Sequence, residues 1–318
     1  MKRFAILTSG GDAPGMNAAI RAVVRTCVNH DVEIMGIEKG FAGLIAGDFN
    51  SMNKKSVSEI ISKGGTMLRT ARLDSFHEKE VQERAAKVLD VYNIDGLIVI
   101  GGDGSFKGAQ ALADLGINVI GIPGTIDNDL AYTDHTLGFD TAVNTVVDAM
   151  SKIKDTSASH DRCSIIEVMG RNCGDIALYS GIAGGAEMIL VPEKPYDFEE
   201  IVQMILIGRA HDKHHFIIVM AEGAGDAQDL GKKVEEYTEL ETRVSVLGYL
   251  QRGGSPSAED RILAARFGNR AVQLLCEGAT NRVVGIRDNH IIDMDIHEAL
   301  AMENVFEEDL LRIANEIA

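Results

Sequence analysis

The chain of 318 residues has no tryptophan, and aromatics make up only 5% of it. That removes the stacking platforms on which single-stranded nucleic acid is held. Cations are scarce too: 31 Lys and Arg against 48 Asp and Glu give a net charge of −17. Such a balance repels nucleic-acid phosphates. The four cysteines (Cys27, Cys163, Cys173, Cys276) form no CxxC pair. Neither a zinc site nor a disulfide framework is expected, and a reducing cytoplasm is the simplest setting. No segment approaches the ~18 apolar residues of a membrane span. Met1 to Phe4 run straight into a strand-like segment, with no signal-peptide pattern. No low-complexity linker divides the chain, so a second domain is expected to interleave with the first.

What is present is a set of strand-to-helix turns rich in glycine and acid. The apolar runs Leu97–Ile100 and Val119–Ile122 read as buried parallel strands. Gly101-Gly102-Asp103-Gly104-Ser105 follows the first, and Pro123-Gly124-Thr125-Ile126-Asp127-Asn128-Asp129 follows the second. Ligands of α/β sheets bind at the carboxyl ends of strands, where both turns lie. A third turn, Ser9 to Gly15, links the strand Phe4–Thr8 to a helix over Met16–Val28. Glycines let backbone N–H groups approach an anion at a helix N-terminus. A carboxylate beside such a cradle calls for a cation between them, and Mg²⁺ is the usual one. Each turn also fits a plainer role: a tight βα connection, an Asp103 cap on a helix starting near Ser105, or an Asx-turn cluster. In an extended segment Asp127 and Asp129 would share a face, with Asn128 turned away. One could then act as a base and the other could help place a metal.

Elsewhere, Val32–Ile37, Cys163–Met169, Phe216–Met220, Val244–Leu250 and Arg282–Ile286 read as strands. Glu78–Tyr92, Lys107–Leu115, Thr141–Lys154, Arg261–Glu277 and Glu307–Ile317 read as helices. Residues 224–233, rich in Gly and Asp, read as a loop. Alternating strands and helices imply a mainly parallel sheet. An acidic chain that binds anions must gather its few cations locally. Arg69 and Arg72 follow Gly64-Gly65-Thr66. Arg162 and Arg171 bracket one strand, and Arg243 and Arg252 flank another. Arg binds phosphate bidentately and keeps its charge. Arg21 and Arg25 share a helix face, and Lys213-His214-His215 is a short cationic run. On pattern alone these last two are a solvated face and an ordinary loop.

Taken together, Thr8 to Asn17, Gly101 to Ser105, Pro123 to Asp129, Met169-Gly170-Arg171, Ala221-Glu222-Gly223 and Gln251 to Pro256 resemble the bacterial ATP-dependent 6-phosphofructokinases. The resemblance spans essentially the whole chain, and the combination of motifs is specific. It implies two interleaved Rossmann-like α/β domains with mainly parallel sheets and an active site in the cleft between them. A larger ATP domain of residues 1–138 and 252–304 is expected beside a smaller sugar-phosphate domain of 139–251 and 305–318. The implied reaction is glycolytic transfer of the ATP γ-phosphoryl group to the 1-hydroxyl of fructose 6-phosphate, giving fructose 1,6-bisphosphate. By the resemblance Asp127 is the base, Thr125 and Ile126 lie beside the sugar, and Asp103 and Asp129 place Mg²⁺. Gly11, Arg72, Leu73, Gly102, Gly104 and Ser105 hold ATP. Arg72 and Arg171 offset charge on the moving phosphoryl group. Met169, Gly170, Arg171 and Glu222 contact the sugar. Arg162, Arg243 and Arg252 hold its phosphate, the first two reaching from a neighbouring subunit of a homotetramer built as a dimer of dimers.

Departures from the family pattern carry expectations of their own. Tyr249 replaces a His at the sugar phosphate, so weaker binding is expected. Leu73, His77 and Phe41 replace Cys, Arg and Tyr at the nucleotide. The implied effector site, for ADP or phosphoenolpyruvate, comprises Arg21, Arg25, Gly185, Glu187, Lys213 and His215, with Lys54, Lys154, His211 and His214 substituted. Arg→Lys loses bidentate binding and His is largely neutral at pH 7, so weakened allostery is expected, stronger in acid. Gly104 and Gly124 stand where pyrophosphate-dependent relatives carry Asp and Lys, which favours ATP as donor. A NAD or lipid kinase would share the GGDG turn but not the arginines. A non-catalytic nucleotide sensor would lack the carboxylates, and all three remain.

Overall fold

The computed structural model describes residues 2–318. The chain divides into two compact units, residues 1–141 with 252–304, and residues 142–251 with 305–318.

In the first unit the elements run β1 (Arg3–Thr8), α1 (Met16–Asn29), β2 (Glu33–Ile37), α2 (Gly40–Ala46), β3 (Phe49–Met52), α3 (Lys79–Val91), β4 (Gly96–Gly101), α4 (Asp103–Asp114), β5 (Val119–Thr125) and β6 (Leu137–Gly138). Helix α5 (Phe139–His160) then begins the second unit's elements: β7 (Cys163–Val168), α6 (Asp175–Gly184), β8 (Met188–Leu190), α7 (Phe198–Ala210), β9 (Phe216–Ala221), α8 (Ala227–Thr238) and β10 (Thr242–Val246). The chain returns to the first unit with α9 (Ala258–Glu277), β11 (Arg282–Arg287), β12 (His290–Asp295) and α10 (Ile296–Ala301), and closes with α11 (Glu308–Ile317).

The larger sheet has the order β12-β11-β5-β4-β1-β2-β3, with β6 beside the end of β5. Its centre is parallel; only β3 and β12 at its edges run antiparallel. Strand β1 has β2 on one side and β4 on the other, so the chain reverses its direction of travel across the sheet between β1 and β4. Such a switch point leaves a crevice at the carboxyl ends of the two strands. The smaller sheet, β10-β7-β9-β8, is wholly parallel.

Strand β4 is buried along its whole length, as its unbroken apolar run requires. Each fully buried aliphatic side chain there contributes about 1.5–3 kcal/mol. Leu97, Val99, Phe106 and Leu112 enter one core with Tyr132. Cys163, Ile165, Phe216 and Ile218 centre the core of the second unit. Helix α9 begins at the Ser257 cap, which accepts a hydrogen bond from Asp260 N. The buried Asp260 carboxylate in turn accepts from Gly138 N at 2.8 Å and Thr141 N at 2.9 Å, capping the first turn of α5.

Three sequence expectations are corrected here. Residues 224–233 are not a loop: α8 starts at Ala227, capped by Asp226. Gly231 does not break it, because a Cβ there would lie 2.8 Å from Val244 Cγ2; the glycine lets the helix approach β10. Val244–Leu250 is not a continuous strand, since β10 ends at Val246 and residues 248–252 coil into a 3-10 turn after Gly248, whose φ is 49°. Pro123–Thr125 is not a turn but the last stretch of β5.

Candidate active site

The crevice at the β1/β4 switch point is a cavity of about 690 Å³ within the first unit. Its floor is backbone. Gly10 turns the chain after β1 with φ 81°. Ser9 N donates to Ile100 O at 3.0 Å, tying the ends of β1 and β4 together. Gly101 must be glycine, since a Cβ would lie 2.7 Å from Ser9 O and 2.4 Å from Ser105 Oγ. Helix α4 starts at Asp103, not near Ser105 or Lys107, with Gly102 at its cap and no side-chain cap bond. Asp103 therefore sits in the first turn and does not cap it. The N–H groups of this turn and its partial positive charge face an open cavity wall that suits an anion.

Asp127 and Asp129 both line the cavity, and Asn128 does not. The expected arrangement is present, but the segment is not extended. Asn128 is left-handed at φ 54°. Its Oδ1 accepts from Thr136 N at 3.1 Å, and its Nδ2 donates to Asp134 O at 3.4 Å. Asp127 N donates to Thr125 Oγ1 at 3.2 Å, and Thr136 Oγ1 donates to Thr125 O at 2.7 Å. A pinned turn, in place of strand alternation, presents the two carboxylates.

Gly11, Arg72, Leu73, Gly102, Gly104, Thr125, Ile126 and Arg252 line the same cavity. The guanidinium of Arg252 lies against Gly11, where a Cβ would be 3.2 Å from Arg252 Cζ. Arg72 arrives on a loop that other residues fasten. Asn17, 3% exposed, donates from Nδ2 to Lys63 O and Gly64 O at 3.1 Å each and accepts from Met67 N at 2.7 Å. Thr8 Oγ1 donates to Arg69 O at 2.9 Å, and Thr70 Oγ1 donates to Gly10 O at 2.7 Å.

Sequence reading missed part of the wall. Phe76 stacks on Phe41 with ring centroids 4.1 Å apart, and both rings line the cavity. A Cβ on Gly108 would press on Phe41 at 2.9 Å. Lys107 Nζ pairs with Asp103 Oδ2 at 2.6 Å. The i,i+4 spacing was a legible signal for this last pair; the Phe76 contact depends on the course of a loop. Gly104 and Gly124 differ. A Cβ on Gly104 meets nothing within 4 Å, whereas one on Gly124 would lie 2.8 Å from Ile100 Cγ2. Both glycines line the cavity, but a Cβ on Gly104 would stand in open space and one on Gly124 would press into the packed side chains behind β5.

Of the residues expected at the sugar, Thr125, Ile126, Asp127 and Arg252 lie in the first unit and the others in the second. Met169–Arg171 leave β7, and Glu222 leaves β9 next to it. Gly223 N donates to Gly170 O at 3.1 Å, and Met169 N donates to Gln251 Oε1 at 3.1 Å. Gly170 adopts φ 136°, and a Cβ there would lie 2.4 Å from Cys173 O, so only glycine fits. Burial, then the nearby carboxylates of Glu222 and Asp226, push Glu167 above its ordinary value. Tyr249 is 79% exposed. Arg162 and Arg243 do not join this group. They stand at the amino ends of β7 and β10, one strand length from Met169–Arg171, or about 20 Å. The expected effector residues are divided. Glu187 and Lys213 pair at 2.8 Å, and Lys154 Nζ lies 3.6 Å from where a Cβ on Gly185 would be. His211 Nδ1 lies 2.9 Å from Ile207 O. Arg21, Arg25 and Lys54 belong to the first unit.

Among the described residues no group of three or more His, Cys, Asp or Glu is placed to hold a metal unaided. Among the described residues no helix is long and apolar enough to cross a membrane.

A family model described as phosphofructokinase matches residues 3–275. ATP-dependent 6-phosphofructokinase 1 of Clostridium perfringens is 59% identical over 317 residues, covering 100% of this chain and 99% of its own. The ATP-dependent 6-phosphofructokinase of Clostridium tetani is 59% identical over 318 residues, covering both chains completely at 100%. Among solved structures, phosphofructokinase from Saccharomyces cerevisiae superposes with a TM-score of 0.88 at 35% identity, covering 94% of this chain and 45% of that one. A pyrophosphate-dependent phosphofructokinase from Marinobacter aquaeolei has a TM-score of 0.86 at 24% identity over 100% of this chain and 92% of that one, a likeness of fold alone.

Proposed function

Because this chain belongs to the phosphofructokinase family, we propose that it transfers the γ-phosphoryl group of ATP to the 1-hydroxyl of fructose 6-phosphate, a glycolytic reaction. The observation that carries this reading is one cavity lined by two glycine-rich phosphate cradles, the Asp127 and Asp129 carboxylates, and Arg72.

ATP enters with its purine against the Phe41–Phe76 wall and its phosphates over Gly11 and Gly102–Ser105. First-turn N–H groups of α4 take phosphate oxygens. Asp127 accepts the proton of the sugar 1-hydroxyl, and its fixed turn holds the carboxylate in place for that transfer. Arg72 and Arg171 balance charge on the moving group, as a reaction governed by positioning and electrostatics requires. Asp103 and Asp129 form a donor set that fits Mg²⁺, which takes one or two carboxylates and leaves its other positions to phosphate and water. Bound there, the ion would neutralise phosphate charge. Lys107 must then yield its place on Asp103.

Met169, Gly170, Arg171, Glu222, Tyr249 and Arg252 are assigned to the sugar phosphate. The separation of about 20 Å along β7 exceeds the length of one sugar phosphate, which supports assigning Arg162 and Arg243 to the site of another copy; that the copies form a homotetramer rests on the family resemblance. Arg21, Arg25, Lys154, Gly185, Glu187, His211, Lys213 and His215 are assigned to an effector site for ADP or phosphoenolpyruvate. The test is product formation from fructose 6-phosphate with ATP or pyrophosphate as donor. Turnover with ATP alone supports the reading; inactivity with both donors overturns it.

A further inference from the structure

Arg162 and Arg243 do not point at open solvent as two independent cations. Both are held by one carboxylate. Arg162 Nε lies 2.7 Å from Glu241 Oε2, and Arg243 Nη2 is bonded to Glu241 Oε1. The backbone fixes the trio. Strands β7 and β10 pair with Cys163 opposite Thr242 and Ser164 opposite Arg243. Cys163 N donates to Glu241 O at 3.0 Å, and Arg162 N donates to Ser157 O at 3.2 Å. Glu241 therefore occupies the position, between two guanidinium groups, that a phosphate would take.

We propose that Glu241 is a resident competitor for the sugar phosphate, a carboxylate that the phosphate must displace from Arg162 and Arg243 and that thereby sets the affinity of the site. This rests on the reading of Arg162 and Arg243 as phosphate ligands. The hydrogen bond from Arg162, reinforced by that from Arg243, holds the Glu241 carboxyl below its ordinary value. It is thus ionised throughout the neutral range. Displacement is feasible because the pair is open to water: the side chains of Arg162 and Glu241 are 26% and 38% exposed, and that of Arg243 is 65%. Exposed ion pairs are weak. A phosphate dianion offers bidentate bonds to both arginines and twice the charge. A monoanion offers neither advantage over the carboxylate, so Glu241 also screens the site against singly charged ligands.

Replacing Glu241 by Gln keeps the shape and one acceptor and raises the local charge from +1 to +2. The KM for fructose 6-phosphate should fall roughly three- to tenfold, with kcat within about twofold. The fall should shrink as salt is raised. Two further variants separate the possibilities. Arg162→Ser should raise the KM; if it does not, the phosphate-ligand reading fails and the competitor role fails with it. If Arg162→Ser raises the KM while Glu241→Gln leaves it unchanged or raises it, the competitor role alone is overturned. Glu241→Asp, which shortens the reach but keeps the charge, should stay closer to wild type than Gln does. An unchanged melting temperature for Glu241→Gln shows that the KM reports the site and not the fold; half-saturation of thermal stabilisation by fructose 6-phosphate gives the same order of affinities without turnover.

Discussion

Replacing Gly104 by Asp should damage ATP binding without damaging the protein. A Cβ at this position meets nothing within 4 Å, so the new side chain enters the cavity without moving backbone. Gly104 lies in the first turn of α4. There a non-glycine residue gains about 0.3 kcal/mol of helix propensity and an acid gains about 0.3–1 kcal/mol from the helix dipole. Repulsion from Asp103, Asp127 and Asp129 in the same cavity works against this gain. The net change in stability should be small, a shift in Tm within about 2 °C. The nucleotide experiences something different. A carboxylate about 6 Å from two phosphate charges, at an effective dielectric of 40–80, costs about 1.4–2.8 kcal/mol. That is a rise of about 10- to 100-fold in the KM for ATP. Gly104→Asn adds the same bulk without charge and should raise the KM much less. Thermal unfolding and initial rates over a range of ATP concentrations measure both effects. An Asp variant with wild-type KM, or an Asn variant as impaired as the Asp one, would refute the electrostatic reasoning. Gly124→Ala is the structural contrast: its Cβ would sit 2.8 Å from Ile100 Cγ2, so it should lose stability.

Three other positions give sharp expectations. Asn17→Ala removes three hydrogen bonds and leaves buried loop groups unpaired, costing about 2–4 kcal/mol in urea unfolding; because that loop carries Arg72, kcat should fall as well, and Asn17→Asp, which keeps the bond from Met67 N but sets a buried carboxylate against Lys63 O and Gly64 O, should lose at least as much. Tyr249→His restores a group that can carry positive charge beside the sugar phosphate, and the KM for fructose 6-phosphate should fall; an equal or higher value contradicts the assignment. The hydrogen bond His297 donates to Asp114, with help from Asp295, raises His297 above its ordinary value. A raised histidine stabilises the fold fully below about pH 6.5 and loses that contribution as pH rises through its folded value. His297→Gln should therefore lower Tm more at pH 6 than at pH 9, and an equal penalty at both would count against the pairing.

The sites could be read from sequence to the extent that their chemistry is local. The Gly101–Ser105 cradle and the switch-point strands announce themselves through glycine, burial and order. Strand alternation and the left-handed turn at Asn128 both put the Asp127 and Asp129 carboxylates on one side, so the sequence pattern points to their shared face for an incomplete reason. Helix α8 was obscured because Gly231 looks like a breaker when its reason, close approach to Val244, lies in tertiary structure. The Phe41–Phe76 stack and the Arg162–Glu241 pair join residues 35 and 79 positions apart, and no local pattern marks them. Arg162 and Arg171 bracket β7 in sequence and so seem alike; only the strand's length puts them at opposite ends of the sheet.

The central claim is that Asp127 removes the proton from the sugar hydroxyl. Single-turnover phosphorylation of fructose 6-phosphate by wild type and Asp127→Ser, with ATP affinity measured on the same preparations, tests it most directly. The account predicts a loss of about 10²- to 10⁴-fold in the phosphoryl-transfer rate, with ATP affinity little changed. A rate within tenfold of wild type, at matched ATP occupancy, would contradict it.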